Sequence, residues 1–206
     1  MRRPAVLGRY ALCLCLLLGS ACAAKPLFVL TDKDLKPRGK ALAVVAGLKR
    51  DINVFTAECM SQALQKNSTF IVTPPGQVAK TISGYPLNIQ GPYSAAYFDI
   101  EEDYTRTDME KIREIQKRLR VDYLYVIWVP TGSTLEKKIV FTDMISQLFE
   151  GPQSREVGRG AFWSSAGRST GCFAPTPKRE DVEQSLQATC ERVSKEIAEA
   201  TGMKKQ

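Results

Sequence analysis

The sequence predicts an α/β fold: a single mixed sheet with helices packed on it, in the order β-α-β-α-β-β-β-α. Residues 41–46 (ALAVVA) and 121–129 (VDYLYVIWV) are near-continuous apolar runs of strand length, typical of strands buried on both faces. Apolar residues repeat at helical spacing in residues 51–66, 106–120 and 178–201. Behind an N-terminal leader, about 180 residues remain, enough for one domain with a sizeable core.

Residues 1–24 have the three parts of a secretory signal peptide. A basic segment with Arg2, Arg3 and Arg9 precedes apolar residues 10–18, and small residues follow. The apolar run is shorter than the roughly 20 residues that a membrane-spanning helix needs. We therefore expect an exported chain, with an uncleaved N-terminal anchor as the alternative.

Two processing routes are open for the leader. The string LGSAC at residues 18–22 resembles a bacterial lipobox, which predicts lipid attachment, palmitate included, at Cys22 as the mature N-terminus. A lipobox usually has Leu three positions before its cysteine, where this chain has Gly19. The alternative is ordinary cleavage after Ala23 or Ala24. The choice matters because several acyl chains hold a protein firmly at a membrane.

The mature chain divides into a spacer, a domain and a tail. Residues 25–40 are predicted to be the spacer, although 28–30 could add an edge strand. Residues 41–202 form the single α/β domain, and 203–206 are a basic tail. Within the domain, strand 41–46, helix 51–66 and strand 69–73 form a βαβ-like unit.

The connection 74–105 is long and rich in proline, glycine and aromatic residues. Residues 77–83 could form a short helix after the prolines. Connections of this length are usually functional or disordered, and exposed aromatics make good contact surfaces. Either its aromatics fill a satellite core over the sheet, or they form a partner-contact loop. The contact residues would be Tyr85, Tyr93, Tyr97 and Phe98.

The second half contributes a helix, three strands and a closing helix. Thr107 is the predicted cap of helix 106–120, with Glu110 at capping-box spacing. The basic face of that helix is interpreted as solvated surface. Residues 135–149 and 155–165 alternate as the two strands of a hairpin.

Composition excludes several kinds of chemistry. The chain has no histidine, which rules out Ser-His-Asp and Cys-His catalysis and histidine-containing zinc sites. We predict no catalytic residue, no metal and no cofactor. A carboxylate-based enzyme is the alternative, using the acidic run Asp99, Glu101, Glu102 and Asp103. The net charge of +7 includes three arginines of the leader, and we infer no nucleic-acid binding from it.

Four cysteines follow the leader's apolar run. If Cys22 is lipidated, three thiols remain in an oxidising compartment, where disulfides persist. We predict a disulfide between Cys172 and Cys190. Cys59 with Cys190 is the other candidate pair, and the third possibility is that all are buried small hydrophobes.

Several strings together resemble a known group: ALAVVAG, SQAL in the first helix, TFIVTPPGQV, LRVDYLYVIWV, and a hairpin with Asp143. The chain resembles periplasmic lipoproteins built like the TolB amino-terminal domain, a group that includes CsgG, LpoB-type and GNA1162-like proteins. The resemblance covers roughly residues 40–201. It implies binding to other envelope proteins or to itself, and no catalytic residues. The polar hairpin 135–165 does not fit the membrane-inserted hairpins of CsgG-like pores.

These inferences together predict a non-catalytic lipoprotein of the bacterial cell envelope. We expect an adaptor or subunit of an envelope assembly that acts through protein–protein contacts. Its membrane contact would be the N-terminal lipid, with the periplasmic face of the outer membrane as its location, because Ala23 rather than Asp follows Cys22. The alternative is a soluble periplasmic ligand-binding module without a lipid anchor.

Overall fold

The computed structural model describes residues 27–32, 35, 39–89, 107–129, 140–166 and 179–205. Within them lie six strands and four helices. The strands are β1 Phe28–Leu30, β2 Ala41–Ala46, β3 Ile71–Thr73, β4 Tyr123–Trp128, β5 Val140–Glu150 and β6 Arg155–Ala166. The helices are α1 Asp51–Asn67, α2 Pro75–Thr81, α3 Met109–Leu119 and α4 Arg179–Ala200.

All six strands belong to one mixed sheet, with the order β1-β6-β5-β4-β2-β3. Strand β2 pairs in parallel with β3 and β4, whereas β4, β5, β6 and β1 follow one another in antiparallel pairs. Every residue of β4 is buried, as its continuous apolar sequence predicts. The predicted α/β class with a single mixed sheet is therefore confirmed.

The central strands send alternate side chains into two separate core layers. Leu42, Val44 and Tyr125 pack with α1 and α4 on one face of the sheet. Val45 and Val126, one position along, pack with α2 and α3 on the other face. The sheet therefore separates two helical layers, and each layer has its own apolar contacts.

Strand β1 shows that part of the predicted spacer belongs to the domain. The Phe28 ring is buried against Gly158 of β6, where an added Cβ would lie 2.3 Å from Phe28 Cζ. The Glu196 carboxylate of α4 accepts hydrogen bonds from the Leu27 and Phe28 N–H groups at 2.6 and 3.0 Å. The edge-strand alternative for residues 28–30 is thus the observed one, because glycine leaves room for the ring.

The cap of α3 differs from the predicted one. The helix begins at Met109, and the side chain of Asp108 accepts a hydrogen bond from the Lys111 N–H at 3.1 Å. Thr107 instead donates its hydroxyl proton to Gln147 Oε1 on β5, at 2.7 Å. Asp108 takes the capping position because this contact with the sheet engages the Thr107 hydroxyl.

Candidate functional site

Most of the predicted site residues lie outside the described part of the chain. These are the lipid-attachment residue Cys22, the loop residues Tyr93, Tyr97 and Phe98, and the predicted disulfide partner Cys172. The acidic run at residues 99–103 is outside it as well. Among the described helices, none is both long and apolar enough to cross a bilayer.

Tyr85 is described, and its side chain is part of the fold. Its ring is half-buried and packs against both core layers. Its hydroxyl accepts a hydrogen bond from the Ala46 N–H at 2.9 Å, at the end of β2. Burial raises the pKa of Tyr85 to about 12. The Tyr85 ring therefore packs into the core, as the satellite-core alternative expects of the loop aromatics, and its hydroxyl is hydrogen-bonded to the backbone of β2.

Cys190 is buried on α4 and is a free thiol in this structure. Its sulfur lies beside α1, where Cys59 is also free. The pairing of Cys190 with Cys172 stays a prediction, since Cys172 is not described.

A groove that the sequence did not single out opens at the C-terminal end of α3. We call it the basic groove. It is a cavity of about 630 Å³ between the end of α3, the start of β4 and the turn between β5 and β6. Its lining residues are Arg113, Glu114, Gln116, Lys117, Arg120, Val121, Asp122, Gly151 and Pro152.

The end of α3 is shaped by a left-handed residue. Arg120 has φ 54°, and its N–H donates to the Gln116 carbonyl at 2.9 Å. This geometry turns the chain toward β4, where the Asp122 N–H donates to the Ala41 carbonyl at 2.9 Å. The Asp122 carboxylate accepts from the Ala41 N–H at the same distance, so it is already engaged by β2.

The turn between β5 and β6 forms the opposite wall. The Gly151 N–H donates to the Asp122 carbonyl at 2.9 Å, and the Ser154 N–H donates to the Gly151 carbonyl at 3.0 Å. Ser154 has φ 53°, so it too is left-handed. Arg120 and Ser154 are the two non-glycine residues with positive φ in the described ranges; Arg120 lines the groove, and the buried Ser154 is hydrogen-bonded to the lining residue Gln116. Such conformations are costly for non-glycine residues and concentrate at functional sites.

Gln116 is the buried polar residue of the groove. Gln116 is only 3% exposed, and its Oε1 accepts a hydrogen bond from the Ser154 hydroxyl. Its Nε2 has no hydrogen-bond partner among the residues that the structure describes. An unsatisfied buried donor costs free energy, and an acceptor entering the groove would recover that cost.

Three of the five charges that line the groove are positive, and the exposed Asp122 carboxylate is one of its two negative charges. Arg113, Lys117 and Arg120 are exposed, and none forms an ion pair with another described residue. The acidic Glu114 is already paired with Arg118 at 2.6 Å. The lining therefore offers cations and one buried N–H donor, which suit an anionic acceptor such as a carboxylate.

The sequence shows the basic residues of α3 but not the basic groove that they line. The basic face of helix 106–120 was interpreted as solvated surface. The groove needs two distant segments, 113–122 and 151–154, which meet only because β4 and β5 pair with Tyr123 opposite Glu150. In the described part of the chain, no three cysteine, aspartate or glutamate side chains gather as metal ligands would.

Comparison with known proteins finds similarity in the backbone fold and none in sequence families. Neither a family model nor a curated protein matches the sequence. A PelC dodecamer from Paraburkholderia phytofirmans is 10% identical with a TM-score of 0.44, covering 83% of this chain and 96% of that chain. Lipoprotein GNA1162 from Neisseria meningitidis is 16% identical with a TM-score of 0.37, covering 66% and 87%. Hypothetical protein CT253 from Chlamydia trachomatis is 10% identical with a TM-score of 0.40, covering 80% and 98%.

Of these three, GNA1162 is named in the group that the sequence resembles. The class defined by the fold is a single-sheet α/β protein with helices on both faces of the sheet. The function below is argued from this chain's own residues.

Proposed function

We propose that the chain is a non-catalytic protein of the bacterial cell envelope, anchored by an acylated Cys22. It acts as an adaptor or subunit of an envelope assembly, and the basic groove is its contact with an acidic segment of a partner protein. The observation that carries the proposal is the position of Cys22, at the end of an export leader and six positions before β1.

This short separation restricts where the domain can lie. Six residue steps span at most about 20 Å when fully extended. A lipid on Cys22 would therefore hold the β1 edge of the sheet close to the membrane surface. Strand β1 is itself fixed by pairing with β6, Phe28 opposite Gly160 and Leu30 opposite Gly158.

The same pairing gives the basic groove an orientation. Strand β1 is antiparallel to β6, so the chain enters β1 on the side of Gly160 and runs toward the turn that precedes Arg155. That turn is the wall of the groove, roughly 20 Å further along the sheet. With the anchor at Cys22, the groove faces away from the membrane and is open to a partner.

The chemistry of the groove favours an acidic partner. Three exposed cations attract a negatively charged surface and steer its approach. The unpaired Nε2 of Gln116 adds a donor that a carboxylate or carbonyl oxygen can satisfy at short range. Together they give a contact with both charge selectivity and one directed hydrogen bond.

The anchor is tested by the mass of the mature N-terminus. The full chain is expressed in a bacterial host and its N-terminal peptide is measured by mass spectrometry. We expect a chain that begins at an acylated Cys22 and sediments with membranes, and a Cys22→Ala variant that is released in soluble form. A mature chain starting at unmodified Ala24 or Lys25 would reject the anchor.

The groove is tested by two matched charge reversals. Lys117→Glu and Lys80→Glu change the net charge equally at exposed positions of α3 and α2, but only Lys117 lines the groove. A photo-reactive amino acid at Pro152 is used to cross-link partners in intact envelopes, and adducts are identified by mass spectrometry. We expect an adduct to an acidic segment that falls about five- to tenfold with Lys117→Glu, or about 1 kcal/mol. An equal loss with Lys80→Glu would contradict a contact at the groove.

A soluble ligand-binding module is the second candidate function. It is favoured by one observation, the unpaired buried Nε2 of Gln116 beside a cavity of about 630 Å³. In that case small carboxylates such as glutamate would bind and raise the melting temperature, by an amount that grows with the logarithm of their concentration above the Kd. A full titration with no shift, together with an acylated N-terminus, would leave the adaptor as the surviving candidate.

A further inference from the structure

Two thiols face each other between the helices α1 and α4. The Cys59 sulfur lies 3.8 Å from the Leu186 carbonyl oxygen, one turn before Cys190 on α4. The Cys190 sulfur lies 3.9 Å from the Thr56 carbonyl oxygen, about one turn before Cys59 on α1. The Cys190 thiol is also within hydrogen-bonding reach of the Cys59 thiol. These reciprocal contacts point the two sulfur atoms toward one another across the helix interface.

The two thiols differ in their access to solvent. Cys59 is half-buried and lines a groove of about 480 Å³ between the two helices. Small neighbours, Ala63 on α1 and Ala188 on α4, line the same groove. Cys190 is completely buried beneath it. An oxidant can therefore reach Cys59 from the groove, while Cys190 is reached only through Cys59.

We propose that Cys59 and Cys190 form an intramolecular disulfide that ties α1 to α4 after export. The proposal rests on the proposed envelope location in one respect, because disulfides persist in an oxidising compartment. The pairing itself rests on the reciprocal contacts of the two sulfur atoms.

The chemistry is thiol–disulfide exchange with a disulfide oxidant, either a protein or a small molecule. The Cys59 thiolate attacks one sulfur of that oxidant, forms a mixed disulfide and releases the first thiolate. The Cys190 thiolate then attacks Cys59 Sγ, closes the internal bond and releases the second thiolate. The two released thiolates take up the protons of Cys59 and Cys190, so two thiols are oxidised and one disulfide is reduced to two thiols.

The surroundings of Cys190 support its role in the second step. Its hydrogen bond with Cys59 and its burial raise the pKa of the Cys190 thiol. At neutral pH it is therefore a protonated, poorly reactive thiol toward reagents in solution. Formation of the mixed disulfide consumes the Cys59 thiol and removes the hydrogen bond that raises the pKa of the Cys190 thiol, so Cys190 then loses its proton more readily and attacks the adjacent Cys59 Sγ.

The pairing is tested on the full chain purified from envelopes. Free thiols are alkylated in denaturant and cysteine-containing peptides are mapped by mass spectrometry. We expect a cross-linked peptide joining Cys59 to Cys190. A Cys172→Ala variant is the matched control and should retain the cross-link. Reduction should lower the melting temperature by about 5–10 °C, and a Cys59→Ala/Cys190→Ala variant should melt like the reduced wild-type protein.

A second experiment tests the Cys59–Cys190 pairing independently of the proposed envelope location. The same chain is reduced with a phosphine, then exposed to oxidised glutathione at neutral pH. If the isolated chain was reduced but glutathione forms the Cys59–Cys190 bond, the pairing holds, whereas the proposed exposure of the domain to an oxidising compartment fails. A Cys172–Cys190 cross-link, or no bond after glutathione treatment, would overturn the pairing whatever the location.

Discussion

The two helical layers differ in what surrounds their unsatisfied polar groups. On the α1/α4 side, Asn53 Nδ2 and Ser61 Oγ have no hydrogen-bond partner among the described residues, but both residues are completely buried. On the α2/α3 side, Gln116 Nε2 is equally unpartnered but borders a cavity. A polar atom that has no hydrogen-bond partner inside the core only lowers the stability of the fold. The same kind of atom beside a cavity can form a hydrogen bond with a ligand.

The helix ends of the two layers differ in the same way. At the end of α1, the Ser68 hydroxyl donates to the Leu64 carbonyl at 2.6 Å, and Asn67 donates to both Glu191 and Ser194 of α4. At the end of α3, Arg120 is held left-handed and exposed. The end of α1 is therefore held by hydrogen bonds within the fold, whereas the Arg120 side chain at the end of α3 is open to solvent. The following changes test this difference, from the largest effect to the smallest.

Truncating a core residue of the α1/α4 layer should have the largest effect on stability. Leu64 is completely buried on α1, so Leu64→Ala should lower the free energy of unfolding by about 3 kcal/mol. Ile71→Thr on the edge strand β3 is the control, since Ile71 is 70% exposed and its replacement should change stability by less than about 0.5 kcal/mol. Denaturant unfolding followed by circular dichroism measures both. Equal losses would mean that the layer is not packed as described.

Removing the Ser154 hydroxyl should have the next largest effect. Ser154→Ala leaves the buried Gln116 amide with neither its oxygen nor its nitrogen paired, which should cost about 1–2 kcal/mol. A Gln116→Met/Ser154→Ala variant removes both partners and should recover most of that stability while losing affinity for carboxylates. Denaturant unfolding and calorimetric titration separate the two effects. A double variant no more stable than Ser154→Ala would show that the pair does not act as a unit.

The sequence was sufficient for the elements with strong periodicity. Strands β2 and β4 match their predicted apolar runs, and α1 and α4 match their predicted bounds to within about one residue. These elements are determined by local pattern, because burial on one or both faces leaves a repeat in the sequence. The fold class follows from them.

Other features depend on partners far away in the chain. Strand β1 forms because Gly158 leaves space for Phe28, and the α3 cap moves to Asp108 because Thr107 bonds with Gln147. The basic groove likewise requires segments that meet only in the folded sheet. No local pattern marks Gln116 as buried with a free donor, since this state depends on Ser154 across the groove.

Relieving the left-handed residue at the end of α3 should have a smaller, stabilising effect. Arg120→Gly removes the free-energy cost of the positive φ, although glycine also gives the unfolded chain more freedom. The net effect should be an increase of about 0.5–1 kcal/mol in the free energy of unfolding. Arg120→Ala is the control, because it removes the same charge but keeps the unfavourable backbone conformation. Both variants should bind the acidic partner less well. If the two have equal stability, the backbone of Arg120 is not strained.

The smallest expected effect is the acid sensitivity of one carboxylate in each layer. Hydrogen bonds from Asn67 and Lys66 lower the pKa of Glu191, and those from Lys111 lower the pKa of Asp108. A lowered pKa means that each carboxylate stabilises the fold above its unfolded pKa of about 4, and that this contribution is lost as pH falls through the folded pKa.

Glu191→Gln should therefore melt about 1–3 °C below wild type at pH 7, with the difference in melting temperature closing toward pH 2. Asp108→Asn should show a smaller gap, because asparagine still caps α3, whereas Glu191 joins two helices. Melting curves from pH 7 to pH 2 measure both, and a Glu191→Gln gap that persists at pH 2 would show that charge is not its cause.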